Sequence, residues 1–286
     1  MQRKPRKDGL AAISIGMPVY NGGESLVHAV ESILNQTLDD FELIISDNGS
    51  TDSTFEICEK FAKRDSRIKL FRQTENIGPV NNFLFVFKEA QSDFFCWAAA
   101  DDLRSPDFLE VNYRFLSENS DYVASCSPNC FIGDEVNLTK FEIVNNRLED
   151  RVVCFLENGW NSHGVFYSLF RREALNDSKD LGSLFFASDW YVDLCLLSHG
   201  KFNRSKAGVL ALGRGCSMEP DFVSGIRSNF IEYFIPFREL WKAIRPMATA
   251  LPIASRTRIF FIFCSLNFSV FRGNLVYSLK RIGLKH

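Results

Sequence analysis

The six residues Phe41 to Ser46, FELIIS, form a near-continuous apolar run between polar stretches. A strand of that kind is buried on both faces, as strands are in parallel sheets covered by helices. The flanking sequence repeats the theme. Ala11 to Met17 is a short apolar strand closed by Pro18. Leu26, Val27, Val30, Ile33 and Leu34 then recur at helical spacing. Ser53 and Glu56 read as a capping box, with Phe55, Cys58 and Phe61 on the buried face of the helix that follows. Ile68 to Phe71 is a third strand, and Phe83, Leu84, Phe87 and Ala90 mark a third helix. Phe94 to Ala100 is a fourth strand, and Ser105-Pro106 opens a fourth helix. Strand and helix thus alternate four times, which predicts an α/β fold with a mostly parallel, Rossmann-like sheet flanked by helices.

Beyond Tyr122–Cys126, a further strand, the pattern becomes irregular. Arg151–Leu156 and Val165–Phe170 read as strands, and the segment around Trp190, Leu194 and Leu197 as a helix ended at Gly200. From about Ser228 the chain reads as helical, basic and aromatic.

In open parallel sheets, ligands collect beyond the C-terminal strand ends. The first strand runs into PVYN, Pro18 to Asn21. The second runs into SDNGSTD, Ser46 to Asp52. The third leads to ENIGPVNN, Glu75 to Asn82, and the fourth to Asp101-Asp102. Adjacent carboxylates repel unless a cation offsets them. Hard oxygen ligands select Mg²⁺ or Mn²⁺, which keep waters and also bind substrate phosphates.

The stretch ISIGMPVYNGGESLVHAVESILNQTLDDFELIISDNGSTDST, followed by NIGPVNNF and WAAADD, resembles glycosyltransferase family 2, inverting enzymes of the GT-A fold. The resemblance is close over residues 11–110 and looser to about 218. It implies an α/β GT-A domain over 11–224; composition and charge add a basic N-terminal tail over 1–10 and a helical, basic and aromatic region over 225–286. It also implies roles. Pro18, Tyr20, Asn21 and Glu24 would line the nucleobase and ribose pocket. Asp47 would hold the base, with Asn48 where the family more often has a second acid. Asn76, Gly78 and Asn82 would sit near the nucleotide. Asp102 would bind the metal and Asp101 the ribose, although Ala100 replaces the first acid of a literal DxD.

FFASDWYVDLCL is similar to the family segment carrying the general base, and Asp189 is the matching residue. Asp193, one helical turn on, is the alternative. His163 would face the acceptor, and Arg214 in LGRGCS would reach the diphosphate. The implied activity is inverting transfer of a sugar from a nucleoside diphosphate to a hydroxyl, in cell-surface polysaccharide or lipid-linked glycan synthesis. Two competitors remain open here. A nucleotidyltransferase would call for a lysine in the loop after the first strand, and PVYNGGES has none. A catalytically inert nucleotide-sugar-binding or membrane-scaffold protein would bind donor without turnover.

Charge is unevenly placed. The whole chain carries −2, but residues 225–286 hold ten Lys/Arg against two Asp/Glu, a net +8. The apolar core of this tail, Ile259 to Phe271, is interrupted by Ser265, Asn267 and Ser269. It reads as too short and polar to span a bilayer and suits a helix at an anionic membrane surface. The alternative is a helix pair packed on the catalytic domain or on a second subunit. Basic residues interleaved with Phe and Ile argue against nucleic acid. The eight cysteines fall mostly in apolar runs, and the basic N-terminus is followed by no secretory apolar segment. Reduced core thiols and a cytoplasmic location, peripheral at the inner membrane face, are the expectation.

Overall fold

The computed structural model describes residues 9–136, 141–162, 164–176, 178, 181, 183, 185–214 and 231–281. Strands β1 (Ile13–Val19), β2 (Phe41–Asp47), β3 (Ile68–Arg72) and β4 (Phe94–Trp97) pair in parallel in the order β3-β2-β1-β4. Helices α1 (Ser25–Leu34), α2 (Thr54–Arg64) and α3 (Pro79–Glu89) make the crossovers. After the two-residue β5 (Leu103–Arg104) come α4 (Phe108–Glu118), β6 (Tyr122–Cys126) and β7 (Asn129–Phe131). Then follow α5 (Leu148–Asn158), β8 (Leu169–Arg171), α6 (Ser188–His199), β9 (Lys201–Arg204) and β10 (Leu210–Leu212). The seven-stranded sheet extends through β8, antiparallel to both its neighbours, to β6 and β9. A second, three-stranded sheet has the order β5-β10-β7.

Two apolar cores lie on opposite faces of the large sheet. Leu26, Val30, Ile33, Cys58 and Leu109 bring α1, α2 and α4 onto one face. Val86, Phe155, Leu194 and their neighbours bring α3, α5 and α6 onto the other. The first four strands and helices occur in the expected order, because strands buried on both faces, as β1, β2 and β4 are, announce themselves as apolar runs. Pro18 does not close the first strand: β1 runs on to Val19, with Pro18 paired opposite Ser46.

Several local expectations are corrected. Residues 151–156 are helix, not strand. Burial of Arg151, Val152, Val153, Phe155 and Leu156 hides the helical period. Val165–Phe170 is mostly turn, and the strand covers Leu169–Arg171. β4 ends at Trp97, so the Asp101-Asp102 pair sits on a loop beyond the strand. The capping box does not form. Asp52 Oδ1 accepts the Thr54 N–H at 3.0 Å instead. Ser105 does not cap α4. Its hydroxyl donates to Asp107 Oδ1 and accepts the Val209 N–H, joining the small sheet to the helix.

Among the described residues, three C-terminal helices follow, α7 (Ile231–Phe234), α8 (Arg238–Thr249) and α9 (Ile253–Arg281). α8 packs on α6 and α9 on α5, burying Phe237, Leu240, Ile244, Ile259 and Phe263. Arg258 of α9 also pairs with Glu157 of α5 at 2.7 Å. The apolar stretch is longer than the sequence suggested. Ile253–Val276 forms 24 helical residues of mean hydropathy 1.6, long and apolar enough to cross a membrane by length and composition. A core helix can be as long and as apolar, but only 17% of this apolar stretch is buried. Its outer face shows Phe260, Phe261 and Phe268. The cysteines among the described residues are free thiols; Cys58, Cys96, Cys126 and Cys195 are buried as a core reading expects, whereas Cys264 is exposed.

Candidate active site

The loops after β1, β2 and β3 are tied to one another by side-chain bonds. Asn21 takes a left-handed backbone, φ 49°. Its N–H donates to Ser50 Oγ and its Oδ1 accepts the Thr51 N–H, each at 2.9 Å. Thr54 Oγ1 accepts the N–H groups of Gly22 and Gly23. Asn48 donates to Asn76 Oδ1 and accepts the Ile77 N–H, both at 2.9 Å. Gly49 at the apex holds φ +71°, and a Cβ there would meet the Glu75 backbone at 3.0 Å. A side chain would therefore strain the turn twice over.

Of the residues expected at the nucleotide, Tyr20, Asn21, Glu24 and Asn76 are exposed on this edge. Pro18, Asp47, Asn48 and Asn82 are buried beneath it. Gly78 precedes α3 with φ +84°. Asp47 is fully buried, accepts the Ser50 N–H, and lies 3.5 Å from Arg72 Nε. Asn82 departs from a direct-contact role. Its Oδ1 accepts the Ser46 hydroxyl at 2.6 Å and its amide donates to the Ser46 carbonyl, so it braces the strand end. Arg72, stacked over Phe55 at 4.2 Å, was not singled out in the sequence although it is the cation at this edge.

The second half of the site is a cavity of about 500 Å³. Asp101 and Asp102 line it from the β4 side, and Asp189 and Asp193 from α6. Asp102 is 3% exposed. One oxygen accepts the Gly213 N–H at 2.9 Å, and the other is buried with no hydrogen-bond partner among the described residues. Burial pushes its acidity to a pKa of about 6, with Arg104 pulling the other way. Gly213 allows this packing, since a Cβ there would fall 2.1 Å from Asp101 Oδ2. Tyr167 stands among Asp102, Asp101 and Asp189. Burial first, then those three charges, push its hydroxyl pKa up.

Asp189 is exposed on the first turn of α6, after Ala187 in a left-handed conformation, φ 63°. Asp193 is 2% exposed, and its Oδ1 has no hydrogen-bond partner among the described residues. Burial, then the Asp189 charge, push its pKa well above 3.8. The proton therefore favours the folded state. That contribution is full below pH 3.8 and is lost as pH rises through the raised folded value. Asp193→Asn is expected to stabilise the protein by about 1–3 kcal/mol at pH 8 and by little at pH 4. Urea midpoints at the two pH values check this, and an equal change at both would contradict it.

Arg214, next to Gly213, turns outward and pairs with Asp134 at 2.6 Å over the Phe131 ring. Reaching a diphosphate would require it to leave that partner. His163 lies outside the described residues.

Asp101 and Asp102 form no protein-only metal cage. Among the described residues no three His, Cys, Asp or Glu gather to hold an ion. The pair does fit Mg²⁺ or Mn²⁺ held by one or two carboxylates, with waters and substrate phosphates completing the shell. The unpartnered buried oxygen of Asp102 is the orphaned acceptor such an ion would satisfy.

Comparison with known proteins matches the family model Glycosyl transferase family 2 over residues 14–178, more than half of the chain. An uncharacterized glycosyltransferase of Haemophilus influenzae is 38% identical over 107 residues, 37% of this chain and 43% of that protein. The match thus spans under half of that relative. Staphylococcus aureus TarS 1–349, solved in complex with UDP-GlcNAc, superposes with TM-score 0.65 at 19% identity, covering 92% of this chain and 74% of that one. A mannosyltransferase of Pyrobaculum calidifontis, solved with GDP-Man and Mn²⁺, gives TM-score 0.55 at 15% identity, covering 99% and 90%. At these identities the two structures speak to the fold alone.

Proposed function

Because the chain belongs to glycosyl transferase family 2, we propose that it transfers a sugar from a nucleoside diphosphate to an acceptor hydroxyl with inversion, in cell-surface polysaccharide or lipid-linked glycan synthesis. The observation that carries the reading is the placement of Asp101-Asp102 and Asp189 around one cavity, beside the loops of β1 to β3. The exposed Tyr20, Asn21, Glu24 and Asn76 would hold the nucleoside, with Asp47 and Arg72 fixing the floor. Asp101 would take the ribose and Asp102 the ion. A bound Mg²⁺ or Mn²⁺ would supply Lewis-acid stabilisation of the departing diphosphate. Asp189 would take the proton from the acceptor hydroxyl as it attacks the anomeric carbon from the opposite face. The TarS complex with UDP-GlcNAc and the mannosyltransferase complex with GDP-Man and Mn²⁺ support a nucleotide-sugar donor and a divalent ion by likeness of fold.

The test is a thermal-shift panel of nucleoside diphosphates with Mn²⁺. One of them should stabilise the protein by about 2.7 kcal/mol at a hundredfold excess over its dissociation constant. A flat response across the panel would sink the donor reading.

A peripheral position at the inner face of the cytoplasmic membrane is part of the same proposal. Its support is the outward face of α9, with Phe260, Phe261 and Phe268 about half to two-thirds exposed, and the +8 charge of residues 225–286. Full-length protein should float with anionic liposomes and less well as salt rises, because screening shortens to about 8 Å at physiological ionic strength. Phe260→Ser with Phe261→Ser should weaken the salt-resistant part. Deleting the tail would be the poorer probe, since α8 and α9 bury core residues. Failure to float with anionic or neutral vesicles would end the membrane reading.

A further inference from the structure

The cavity beside the carboxylates is lined mostly by apolar side chains. Away from Asp101, Asp102, Asp189 and Asp193, its walls are rings: Trp97, Trp160, Phe166, Phe186, Trp190 and Phe237. Trp97 and Phe166 stack at 4.7 Å with planes 4° apart. Trp160 meets Trp190 edge-on at 5.3 Å and Phe237 at 6.1 Å. The polar side chains lining this part, among the described residues, are two tyrosines, Tyr167 and Tyr191, and three serines, Ser162, Ser183 and Ser188, beside the indole N–H groups of the tryptophans. Ser162 already donates to the Gly159 carbonyl at 2.6 Å. A sugar ring pushed in here would bury several hydroxyls against too few partners, which is costly. An apolar group would lose nothing, and a cavity of about 500 Å³ is large enough for a ligand-sized one.

We infer that the acceptor is an amphiphile, a lipid hydroxyl or a short glycoside of one, whose apolar part fills this cavity while its hydroxyl meets Asp189. The inference rests on the glycosyl-transfer reading of the same site. The position of the cavity supports a lipid source. Phe237, which forms one wall, is fully buried and belongs to the C-terminal helical region. Its N–H donates to Asn267 Oδ1 of α9 at 2.9 Å, and its ring meets Phe263 of α9 at 6.3 Å. The helix that carries the exposed phenylalanines thus also braces the cavity wall. Trp160 is 47% exposed while lining the cavity, so the cavity reaches the surface beside it.

Tryptophan fluorescence reads occupancy directly, because three of the four tryptophans, Trp97, Trp160 and Trp190, line the cavity. The probes are methyl, hexyl, heptyl and octyl β-glucosides below their micelle concentrations, added to full-length protein. Emission should change saturably with the alkyl glucosides and not with the methyl one. Affinity should tighten roughly two- to fourfold per methylene. Trp160→Ala should weaken octyl glucoside about tenfold, and Phe186→Ala gives a second test of the same wall. Phe260→Ser with Phe261→Ser, on the outer face of α9, should leave that affinity within about twofold. Affinity indifferent to chain length would overturn the proposal. So would sensitivity to the α9 pair with none to Trp160 and Phe186. The nucleoside diphosphate thermal shift is measured on the same samples. A normal shift with no chain-length effect removes the amphiphile and leaves the transferase reading standing. A chain-length effect with no response to any nucleoside diphosphate overturns the transferase reading, and the acceptor role with it.

Discussion

Asp189→Asn is expected to slow sugar transfer by roughly 10²-fold or more while nucleoside diphosphate affinity stays near that of the parent chain. An alcohol is a poor nucleophile until its proton is taken, so inverting attack needs a carboxylate beside the acceptor. Asp189 is the residue proposed for that role. It is exposed, sits on the first turn of α6, and faces the cavity that Asp101 and Asp102 line from the other side. Asparagine keeps the size and most of the hydrogen bonding but cannot accept the proton. The loss should therefore fall on kcat, with little change in donor binding.

The necessary control is Asp193, one turn further along the same helix. Its burial and the neighbouring Asp189 charge favour its protonated form, and a protonated acid is no base. Asp193→Asn should keep transfer within a few-fold of the parent. Kinetics in which Asp193→Asn is the crippled variant and Asp189→Asn is not would move the base one turn inward. A helix-stabilising role alone for Asp189, through the dipole at its N-terminus, would change stability and leave kcat alone.

The residues that announce themselves in the sequence do so for physical reasons. β1, β2 and β4 are buried on both faces of a parallel sheet, so their apolar runs are unbroken, and the turns beyond them need asparagine, glycine and acids. That made the Asn21, Asp47 and Asp101-Asp102 edge readable. α5 reads as a strand because Val152 to Leu156 is apolar without a gap, and the exposed polar residues of the helix, Asp150, Glu157 and Asn158, stand only at its ends.

The cavity was unreadable for a different reason. Its rings come from β4, the turn after α5, the turn before β8, the turn before α6, α6 itself and the start of α8, and no local pattern joins them. Gly213 was passed over in favour of its neighbour Arg214, yet it is Gly213 that touches both carboxylates of the pair. The tail was underestimated because three polar residues interrupt it. One of them, Asn267, is spent on capping the Phe237 N–H and on the Phe263 carbonyl. A polar side chain satisfied by backbone does not break an apolar helix.

Asp102→Asn should do two things that pull in opposite directions: lose roughly 10²–10³-fold in transfer and gain stability. The first follows if a hard cation loses its charged oxygen ligand, which withdraws several kcal/mol of Lewis-acid stabilisation from the leaving diphosphate. The second follows from burial. In the folded protein Asp102 titrates at about 6, above the ordinary 3.8, because removal from water outweighs the attraction of Arg104. The sign is then fixed. The folded state binds the proton more tightly, so this group favours folding below pH 3.8, and the contribution is lost as pH rises through about 6. At pH 7, without metal, the ionised side chain costs the fold about 3 kcal/mol by this linkage. Asparagine removes the charge and keeps an oxygen for the Gly213 N–H. Urea unfolding in excess EDTA should therefore show the variant more stable at pH 7.5 than the parent, with the gap closing toward pH 4. Transfer assays with Mn²⁺ should show it nearly inactive. A charge that destabilises its own fold points to a task for that charge outside folding. Undiminished transfer in the variant, or in the parent under excess EDTA, would remove the metal from that task.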